Sequence, residues 1–251
     1  MKRKSTYRIA WQCESNDTSD WLNTLPNRFD FEGEVIYNGR NVVKRMTLPN
    51  ETVVVVKRFK RPLLFQRMIY SRLRMSKGLR ACVNSKQLLQ RNIETPAPIA
   101  CIEERLYGIY QRAWYVYTYY KGTPLGQLDL TDKALIDDLA EYAAKLHSSG
   151  VMDLDFNVGN ILCNQSDEHW SFSLIDTNRI RFMPIGVTPK PKYCIKTLLT
   201  LPTSMDFRYL MSRYLTVRGL YTDKNLAKAI AMKDRHDKRY FAKKRIKSLF
   251  R

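Results

Sequence analysis

The stretch MDLDFNVGNILC, Met152–Cys163, places Asp155 five residues before Asn160, and the stretch LIDTNR, Leu174–Arg179, adds Asp176 directly after the apolar run FSLI. An Asp and an Asn at this spacing are typical of a phosphotransferase catalytic loop, in which the Asp accepts the proton of the attacking hydroxyl. The Asn and a second Asp hold Mg²⁺, which prefers hard oxygen ligands. The two stretches therefore predict Asp155 as the catalytic base and Asn160 with Asp176 as the metal ligands.

A nucleotide-binding part is indicated further upstream. The β-branched run TVVVVK, 52–57, predicts a buried strand that ends at Lys57. Because a lysine in this context contacts nucleotide phosphates in kinases, we expect Lys57 to bind ATP. Gly39, in the turn YNGRN, is the candidate for a backbone contact to the phosphates, although the chain has no G-x-G-x-x-G loop. The ordinary alternatives are a plain turn for Asp155 and Asn160, and a solvated strand end for Lys57.

The first half of the chain is rich in predicted strands. Residues 34–59 predict an antiparallel meander of three strands, with a hairpin at the Asn-Gly pair before Arg40. Pro62 ends the third strand, and two helices are predicted up to residue 92. The stretch ETPAPIACIEE, 94–104, predicts a connection into another strand, and LYGIYQRAWYVYTYYKG, 106–122, predicts two strands around a short turn near Gln111. Residues 1–30 carry little pattern.

The second half of the chain is predicted to be helical apart from the motif. A helix is expected to begin after Thr131 as its N-cap and to end before Gly150, and residues 197–220 and 223–247 also have helical patterns. The order of strands followed by helices predicts an α+β fold of two lobes with a cleft between them. Its small antiparallel-sheet N-lobe comprises residues 1–120, its helical C-lobe comprises residues 121–251, and the nucleotide cleft is expected between them.

Composition limits the class of protein. The chain has 251 residues with 44% hydrophobic residues, enough for a packed core, and no run near the ~20 apolar residues of a membrane span. The basic N-terminus lacks the apolar segment of a signal peptide. Five cysteines without a CxxC pair favour reduced thiols in a cytosolic setting and argue against a zinc site.

The formal net charge of +19 predicts a polyanionic partner. Residues 52–93 contain eleven Lys and Arg and no acidic residue, and residues 233–251 contain nine more against two Asp. Within the first segment, Leu64, Phe65, Met68 and Ile69 form an apolar stripe among arginines. This stripe either lies at a membrane interface or packs on the N-lobe.

Four stretches resemble the lipopolysaccharide core kinases of Gram-negative bacteria, the Kdo/heptose kinase group: VVVKRFKRP (54–62), SKGLRACVNSKQLLQRNIETPAPIA (76–100), KLHSSGVMDLDFNVGNIL (145–162) and LIDTNRIRF (174–182). The resemblance runs from about Phe31 to the basic C-terminus, and it implies a bilobal, protein-kinase-like fold with a small antiparallel-sheet N-lobe and a helical C-lobe. It implies ATP-dependent phosphorylation of a sugar hydroxyl of the lipopolysaccharide inner core at the cytoplasmic face of the inner membrane. It also implies a lipopolysaccharide core precursor and the anionic membrane surface as partners, with a cytoplasmic, peripheral location.

Three departures from the kinase pattern matter. Asp153 stands where a His or aromatic residue is usual, and DTN replaces DFG. Val83 stands where a helix should carry the Glu that pairs with Lys57, and that pair is part of the active constellation. Either Asn84 or another acid positions Lys57, or the protein is a catalytically weak pseudokinase that acts by binding. A nucleic-acid-binding module is a further alternative; it rests on charge alone and lacks a recognition motif.

Overall fold

A computed structural model describes residues 5–12, 18–166 and 169–248. Cys13, one of the five cysteines, therefore lies outside the described residues. Contacts divide the chain into two compact units: the first extends to Lys121 and includes Asp176–Arg179, and the second comprises Gly122–Ile175 and the chain from Ile180 onward. The segment Asp176–Arg179 thus lies with the first unit, although it falls within residues 121–251 in sequence.

The first unit contains a six-stranded antiparallel sheet with the strand order β1-β5-β6-β4-β3-β2. Its strands are β1 (Thr6–Gln12), β2 (Glu34–Asn38), β3 (Val42–Thr47), β4 (Val53–Arg58), β5 (Pro98–Leu106) and β6 (Ile109–Thr118). The predicted meander β2-β3-β4 is confirmed. β4 lies between β3 and β6, and its consecutive residues Val54–Lys57 are buried on both faces of the strand, which explains its uninterrupted β-branched run.

Two details of the sheet differ from expectation. The turn between β5 and β6 lies at Tyr107 and Gly108, both with positive φ, and the turn predicted near Gln111 is wrong because Gln111 is buried within β6. All five residues of β2 are exposed, and a bulge interrupts its pairing between Val35 and Tyr37.

Helix α1 (Ser19–Arg28) and strand β1 form in a region with little sequence pattern. Trp21, Leu22 and Leu25 of α1 are buried and join a core cluster with the β-branched residues of β4. The helix contains Pro26 and has no side-chain cap at its N-terminus. These unfavourable local features explain why packing, rather than intrinsic propensity, decides this helix.

Two helices follow Pro62, as predicted: α2 (Leu64–Arg72) and α3 (Lys77–Gln90). The Ser76 hydroxyl caps α3 by accepting the Leu79 N–H at 3.2 Å, and α3 buries Ala81, Cys82, Ser85 and Leu88. α2, in contrast, buries no residue.

The second unit is mainly helical. Its helices are α4 (Lys133–Ser148), α5 (Pro191–Leu198), α6 (Phe207–Val217) and α7 (Asp223–Ser248). Its short strands are β7 (Thr123–Pro124), β8 (Val151–Asp153), β9 (Ile161–Ser166), β10 (His169–Leu174) and β11 (Ile180–Phe182). They form two small antiparallel sheets, β10-β9-β7 and β11-β8.

Helix α4 connects the core of this unit to the motif that follows it. Its N-cap is Asp132, which accepts the Ala134 N–H, and not Thr131, which hydrogen-bonds to Asp129 instead. Gly150 follows the helix with φ +73°, as expected for a residue just past a helix end. β8 therefore begins directly behind α4 and leads to Asp155.

The last helix divides into a packed half and an exposed half. Leu226, Ala229 and Lys233 are buried, and the Lys233 ammonium donates to the Leu201 carbonyl at 2.7 Å. Every described side chain from Lys238 onward is exposed. Among the helices of the described residues, none is long and apolar enough to cross a membrane.

Candidate active site

The first unit brings together Lys57 and Asp176, two of the residues predicted from the sequence. Lys57 is only 8% exposed on β4, and its ammonium group forms a salt bridge to Asp176 Oδ1 at 2.8 Å. The same ammonium group lies 5.3 Å from the ring centroid of Phe59. A nearly buried lysine that keeps its charge needs such partners, because transfer of an unpaired charge into the protein interior is costly.

Asp176 begins a tight turn. It adopts φ +60°, a left-handed conformation that is uncommon for a residue other than glycine. The Asn178 side-chain amide donates to Asp176 Oδ1, so this oxygen is contacted by both Asn178 and Lys57. A 3₁₀ turn, Thr177–Arg179, follows at once. The carboxylate is thus held by a strained turn and two donors, as functional groups often are.

Hydrogen bonds tie this turn to helix α3. The Ser85 hydroxyl, fully buried, lies 2.9 Å from Thr177 Oγ1 and 3.0 Å from the Tyr115 hydroxyl. Thr177 also donates to the Ala81 carbonyl at 3.1 Å. The Asn84 amide donates to the Thr177 carbonyl at 2.7 Å. Neutral polar groups of α3 therefore hold the turn.

This arrangement bears on the Glu that the sequence lacks. The carboxylate that pairs with Lys57 is Asp176 itself, while Asn84 contacts the backbone of the residue that follows it. Of the two ways of positioning Lys57 that the sequence left open, the geometry favours another acid over Asn84.

Two further groups near Asp176 have shifted pKa values. Burial, with the nearby Asp176 carboxylate as the second cause, raises the pKa of Tyr117. Burial lowers the pKa of Lys77, at the start of α3, and the nearby guanidinium of Arg40 lowers it further. The Lys77 ammonium group therefore lies near the positive charges of Arg40, Arg80 and Lys57 and near the carboxylate of Asp176.

The second unit contains the catalytic-loop candidates. Strand β8 pairs with β11, with Asp153 opposite Ile180. Asp153 is 4% exposed, and its carboxylate accepts the backbone N–H of Asp155 at 2.8 Å. The Asp153 side chain, which replaces the usual His at this position, thus holds the backbone of the loop by a hydrogen bond, as Asp side chains do in Asx turns.

Asn157 and Asn160 both close the loop around Asp155. The Asn157 side-chain amide donates to the Asp155 carbonyl at 2.9 Å, and that of Asn160 donates to the same carbonyl at 3.0 Å. The Asn160 carbonyl in turn accepts the Ile175 N–H at 2.9 Å. Since the Asn160 side-chain nitrogen is the donor within the loop, its Oδ1 is the atom suited to bind a cation.

Gly39 lies in the hairpin between β2 and β3. Its N–H donates to the Asn41 carbonyl at 3.1 Å. A Cβ at this position would lie 2.6 Å from Cζ of Tyr37, so the aromatic ring lies across the glycine. A phosphate contact through Gly39 stays a prediction.

Two of the predicted residues, one in each unit, carry oxygen atoms of the kind that a hard cation binds. Asp176 offers a carboxylate and Asn160 an amide oxygen, and Mg²⁺ uses one or two carboxylates while water and phosphate fill its other positions. Within the described parts of the chain, no group of three or more His, Cys, Asp or Glu side chains could hold a metal ion.

Sequence reasoning missed the supporting residues. Asn157 had a signal, because Asp-x-Asn favours an Asx turn that folds back on the chain. Ser85 and Thr177 had none, because each is a small polar residue whose partner lies about ninety positions away. Such pairings become visible only when the fold is known.

Comparisons with known proteins support a phosphotransferase of the kinase class. A sequence profile described as the Lipopolysaccharide kinase (Kdo/WaaP) family matches residues 66–183. The match includes Asp155, Asn160 and Asp176, and it agrees with the resemblance that the sequence motifs show. A comparison with curated protein sequences gives no match.

One solved structure supports the fold. A structure titled "WaaP in complex with acyl carrier protein" matches with a TM-score of 0.60 at 17% identity, covering 93% of this chain and 98% of that chain. Two structures of the Rio2 kinase from Chaetomium thermophilum, one of them an ADP/Mg²⁺-phosphoaspartate complex, have TM-scores of 0.49 and 0.47. Their identities are 16% and 18%, and they cover 93% and 87% of this chain and 82% and 76% of their own. The match to WaaP confirms the protein-kinase-like α+β fold.

Proposed function

We propose that the chain is an ATP- and Mg²⁺-dependent kinase that phosphorylates a sugar hydroxyl, of Kdo or heptose, in the lipopolysaccharide inner core. The observation that carries this proposal is the salt bridge between Lys57 and Asp176 at 2.8 Å. It joins Lys57 of β4 and the carboxylate of Asp176 in the DTN turn. These two residues are 119 positions apart, and the sequence analysis predicts them to bind the nucleotide and the metal ion.

Asp155 is proposed as the general base. Its carboxylate takes the proton of the sugar hydroxyl as the hydroxyl oxygen attacks the γ-phosphorus of ATP and the bond to the leaving ADP oxygen breaks. The hydrogen bonds from Asn157 and Asn160 to the Asp155 carbonyl, together with the anchor from Asp153, restrict the backbone of this residue. A base held in this way loses little freedom when the substrate binds.

Lys57 and Asp176 are proposed to act on the nucleotide side. Lys57 binds the phosphates, and Asp176 with Asn160 holds Mg²⁺, which neutralises charge on the β- and γ-phosphates when bound. The salt bridge holds the Lys57 ammonium group close to the proposed metal-binding carboxylate. The predicted nucleotide cleft and the contact of Gly39 with phosphate belong to the same proposal.

The partners and the location extend this proposal. The substrate is a lipopolysaccharide core precursor, whose lipid part is held in a bilayer, so the enzyme is expected to be cytoplasmic and peripheral to the inner membrane. The charge of +19 supports an anionic membrane surface as the second partner, because each Lys or Arg near such a surface contributes about 1 kcal/mol to binding. Nucleic acid is not proposed as a partner.

Transfer of labelled γ-phosphate to isolated lipopolysaccharide core tests the reaction. Loss of a positioned general base lowers rates by about 10²–10⁴-fold, so Asp155→Asn should fall by that factor while still binding nucleotide. If Asp155→Asn transfers phosphate as fast as the wild type, the assignment of the base is wrong.

Nucleotide titration with and without Mg²⁺ tests the other roles. Lys57→Met should weaken ATP binding at least tenfold, whereas the exposed neighbour Lys60, as Lys60→Met, is the matched control and should bind normally. Asp176→Asn should remove the Mg²⁺-dependent part of the affinity. Equal ATP affinity in Lys57→Met and Lys60→Met would remove Lys57 from the site.

The pseudokinase alternative is distinguished by the same pair of measurements. It predicts nucleotide binding that depends on Lys57 but no transfer of label by the wild-type protein. A wild type that neither binds nucleotide nor transfers phosphate contradicts both functions.

A further inference from the structure

Helix α2 has an unusual orientation, because its polar residues contact the sheet and its apolar residues are exposed. Its polar residues face the sheet: the Arg67 guanidinium donates to the Tyr110 carbonyl at 3.1 Å, and the Ser71 hydroxyl accepts the Tyr110 N–H at 2.9 Å. Tyr70 also contacts the Tyr110 ring edge-on at 5.5 Å. The apolar residues Leu64 and Phe65 face away from the sheet. An amphipathic surface helix normally has the opposite orientation.

We name the exposed apolar residues of segment 63–75 the α2 apolar surface. It comprises Leu63 (77% exposed), Leu64 (59%), Phe65 (73%), Met68 (60%), Leu73 (83%) and Met75 (48%). Single exposed apolar residues are ordinary, but a cluster of this kind marks a site that another apolar phase covers.

The degree of exposure indicates the kind of partner. Side chains that are three-quarters exposed, such as Leu63 and Phe65, project from the surface and do not line a groove. Projecting Leu, Phe and Met side chains on a short helix are suited to enter the boundary between lipid head groups and acyl chains, about 5–10 Å deep.

Positive charge lies beside the α2 apolar surface. A cavity of about 320 Å³ at the end of α2 is lined by four arginines, Arg8, Arg72, Arg74 and Arg105. Its single acidic lining residue, Glu103, forms a salt bridge with Arg105 at 2.7 Å. In the described part of the chain, neither Arg72 nor Arg74 forms a salt bridge. The cavity is therefore suited to an anion of phosphate size beside an apolar surface.

We propose that the segment 63–75 is the docking surface of this protein for a bilayer that contains anionic phospholipids. The α2 apolar surface enters the head-group region, and the arginine-lined cavity binds the phosphate of a lipid head group. The proposal rests on the proposed function in one respect, that a substrate with a lipid part presents its sugar at a membrane. It names the part of the chain that makes the contact.

The charge balance disfavours a basic partner and suits an anionic one. Residues 52–93 contain no acidic side chain, so the surface has no means of pairing with basic residues of a partner protein. A bilayer with anionic head groups offers both an apolar phase and negative charge over a large area. Binding to a soluble protein in place of vesicles is the competing outcome.

Flotation with vesicles tests the docking surface independently of catalysis. The vesicles contain phosphatidylethanolamine with phosphatidylglycerol, or phosphatidylcholine alone. The wild type should float with the anionic vesicles, and the triple variant Leu64→Ser, Phe65→Ser, Met68→Ser should bind at least tenfold more weakly. Its matched control is Ile185→Ser, since Ile185 is 92% exposed in the second unit and should bind normally.

Charge reversal separates this surface from other basic regions. Arg72→Glu with Arg74→Glu should weaken flotation at least tenfold, whereas Lys238→Glu with Arg239→Glu, on the exposed half of α7, should have a smaller effect. If the α7 pair abolishes flotation and the α2 pair does not, the docking surface is wrongly placed. The proposal is also overturned if all variants float like the wild type.

A label gives a readout that does not depend on losing binding. On a Cys13→Ser background the four remaining cysteines are buried, so Phe65→Cys accepts an environment-sensitive dye selectively. Its emission should shift to the blue with anionic vesicles, and a dye at Ile185→Cys should not shift. Equal behaviour of the two dyes contradicts the proposal.

Failure of docking and failure of the proposed function are distinguishable. The triple variant should keep the wild-type affinity for ATP in the nucleotide titration, because its residues lie outside the proposed active site. A protein that binds ATP but not vesicles contradicts the docking surface alone, and one that binds vesicles but not ATP contradicts the kinase alone.

Discussion

The hydroxyl of Ser85 is the best place to test how this protein holds the turn that contains Asp176 without a Glu on α3. Ser85 is fully buried, and its hydroxyl lies between the Tyr115 hydroxyl at 3.0 Å and Thr177 Oγ1 at 2.9 Å. Ser85→Ala removes this link and leaves the surrounding apolar packing almost unchanged.

The expected cost follows from the partners that remain. Thr177 keeps its hydrogen bond to the Ala81 carbonyl, whereas the Tyr115 hydroxyl loses its bond to Ser85 inside the protein. A buried polar group that loses its partner destabilises a fold by about 1–3 kcal/mol, so we expect about 2 kcal/mol for Ser85→Ala. Tyr115→Phe removes the hydroxyl that would be left behind. The double variant should therefore be about 1 kcal/mol more stable than the sum of the single effects predicts.

Urea unfolding of the wild type, both single variants and the double variant measures this coupling. Mg²⁺-dependent ATP binding should also weaken several-fold in Ser85→Ala, because Thr177 directly follows Asp176. Ser166→Ala, at an exposed hydroxyl, is the control and should change neither quantity. Strictly additive unfolding energies, or unchanged Mg²⁺-ATP binding in a folded Ser85→Ala, would refute the reasoning.

Burial lowers the pKa of His147 to about 3, and a nearby arginine is the second cause. The native state therefore favours the neutral imidazole ring. The contribution of this ring to the free energy of unfolding is complete above pH 6.5 and is lost as the pH falls towards 3. Between pH 7 and pH 5 the wild type should therefore lose about 2 kcal/mol of unfolding free energy from this group. Urea titrations of His147→Gln should lack that loss. If the unfolding free energies of the wild type and His147→Gln change in parallel with pH, the prediction is wrong. Gly78→Ala would place a Cβ 2.9 Å from both Ala113 Cβ and Cys101 Sγ. Thermal unfolding should therefore show a loss of about 1–3 kcal/mol of stability. An unchanged midpoint would mean that the sheet moves aside. Burial raises the pKa of Cys163 to about 12. Alkylation of this thiol at pH 8 should therefore be slow in native protein and fast in urea, as measured by mass spectrometry. Equal alkylation rates would contradict the burial of this thiol.

The sequence was sufficient where a local pattern and the final packing agree. The Asn-Gly hairpin, the β-branched run of β4 and the spaced apolar residues of α4 each specify their element within a few residues, and the structure has all three. The fold class followed from their order. The nomination of Lys57 and Asp176 rested on spacing and context, and the first unit does bring the two side chains into contact.

Other features depend on contacts that no short stretch of sequence encodes. Strand β1 is at the edge of the sheet and is not buried on alternate residues, so it lacks a period-two pattern. α1 contains Pro26, which argues against a helix until the buried Trp21 and Leu22 are known. The orientation of α2 could not be decided either, because its apolar stripe fits a buried and an exposed face equally well.

Strand β2 has a consequence for the behaviour of the protein in concentrated solution. It forms one edge of the six-stranded sheet and leaves a row of backbone amides unpaired beside Val35, Ile36 and Tyr37, each about half exposed. An apolar edge of this kind is a template for strand addition and aggregation. Ile36 is the extra residue of the bulge, and the distortion it causes keeps a second molecule from continuing the ladder. Deletion of this one residue would straighten the edge and favour self-association.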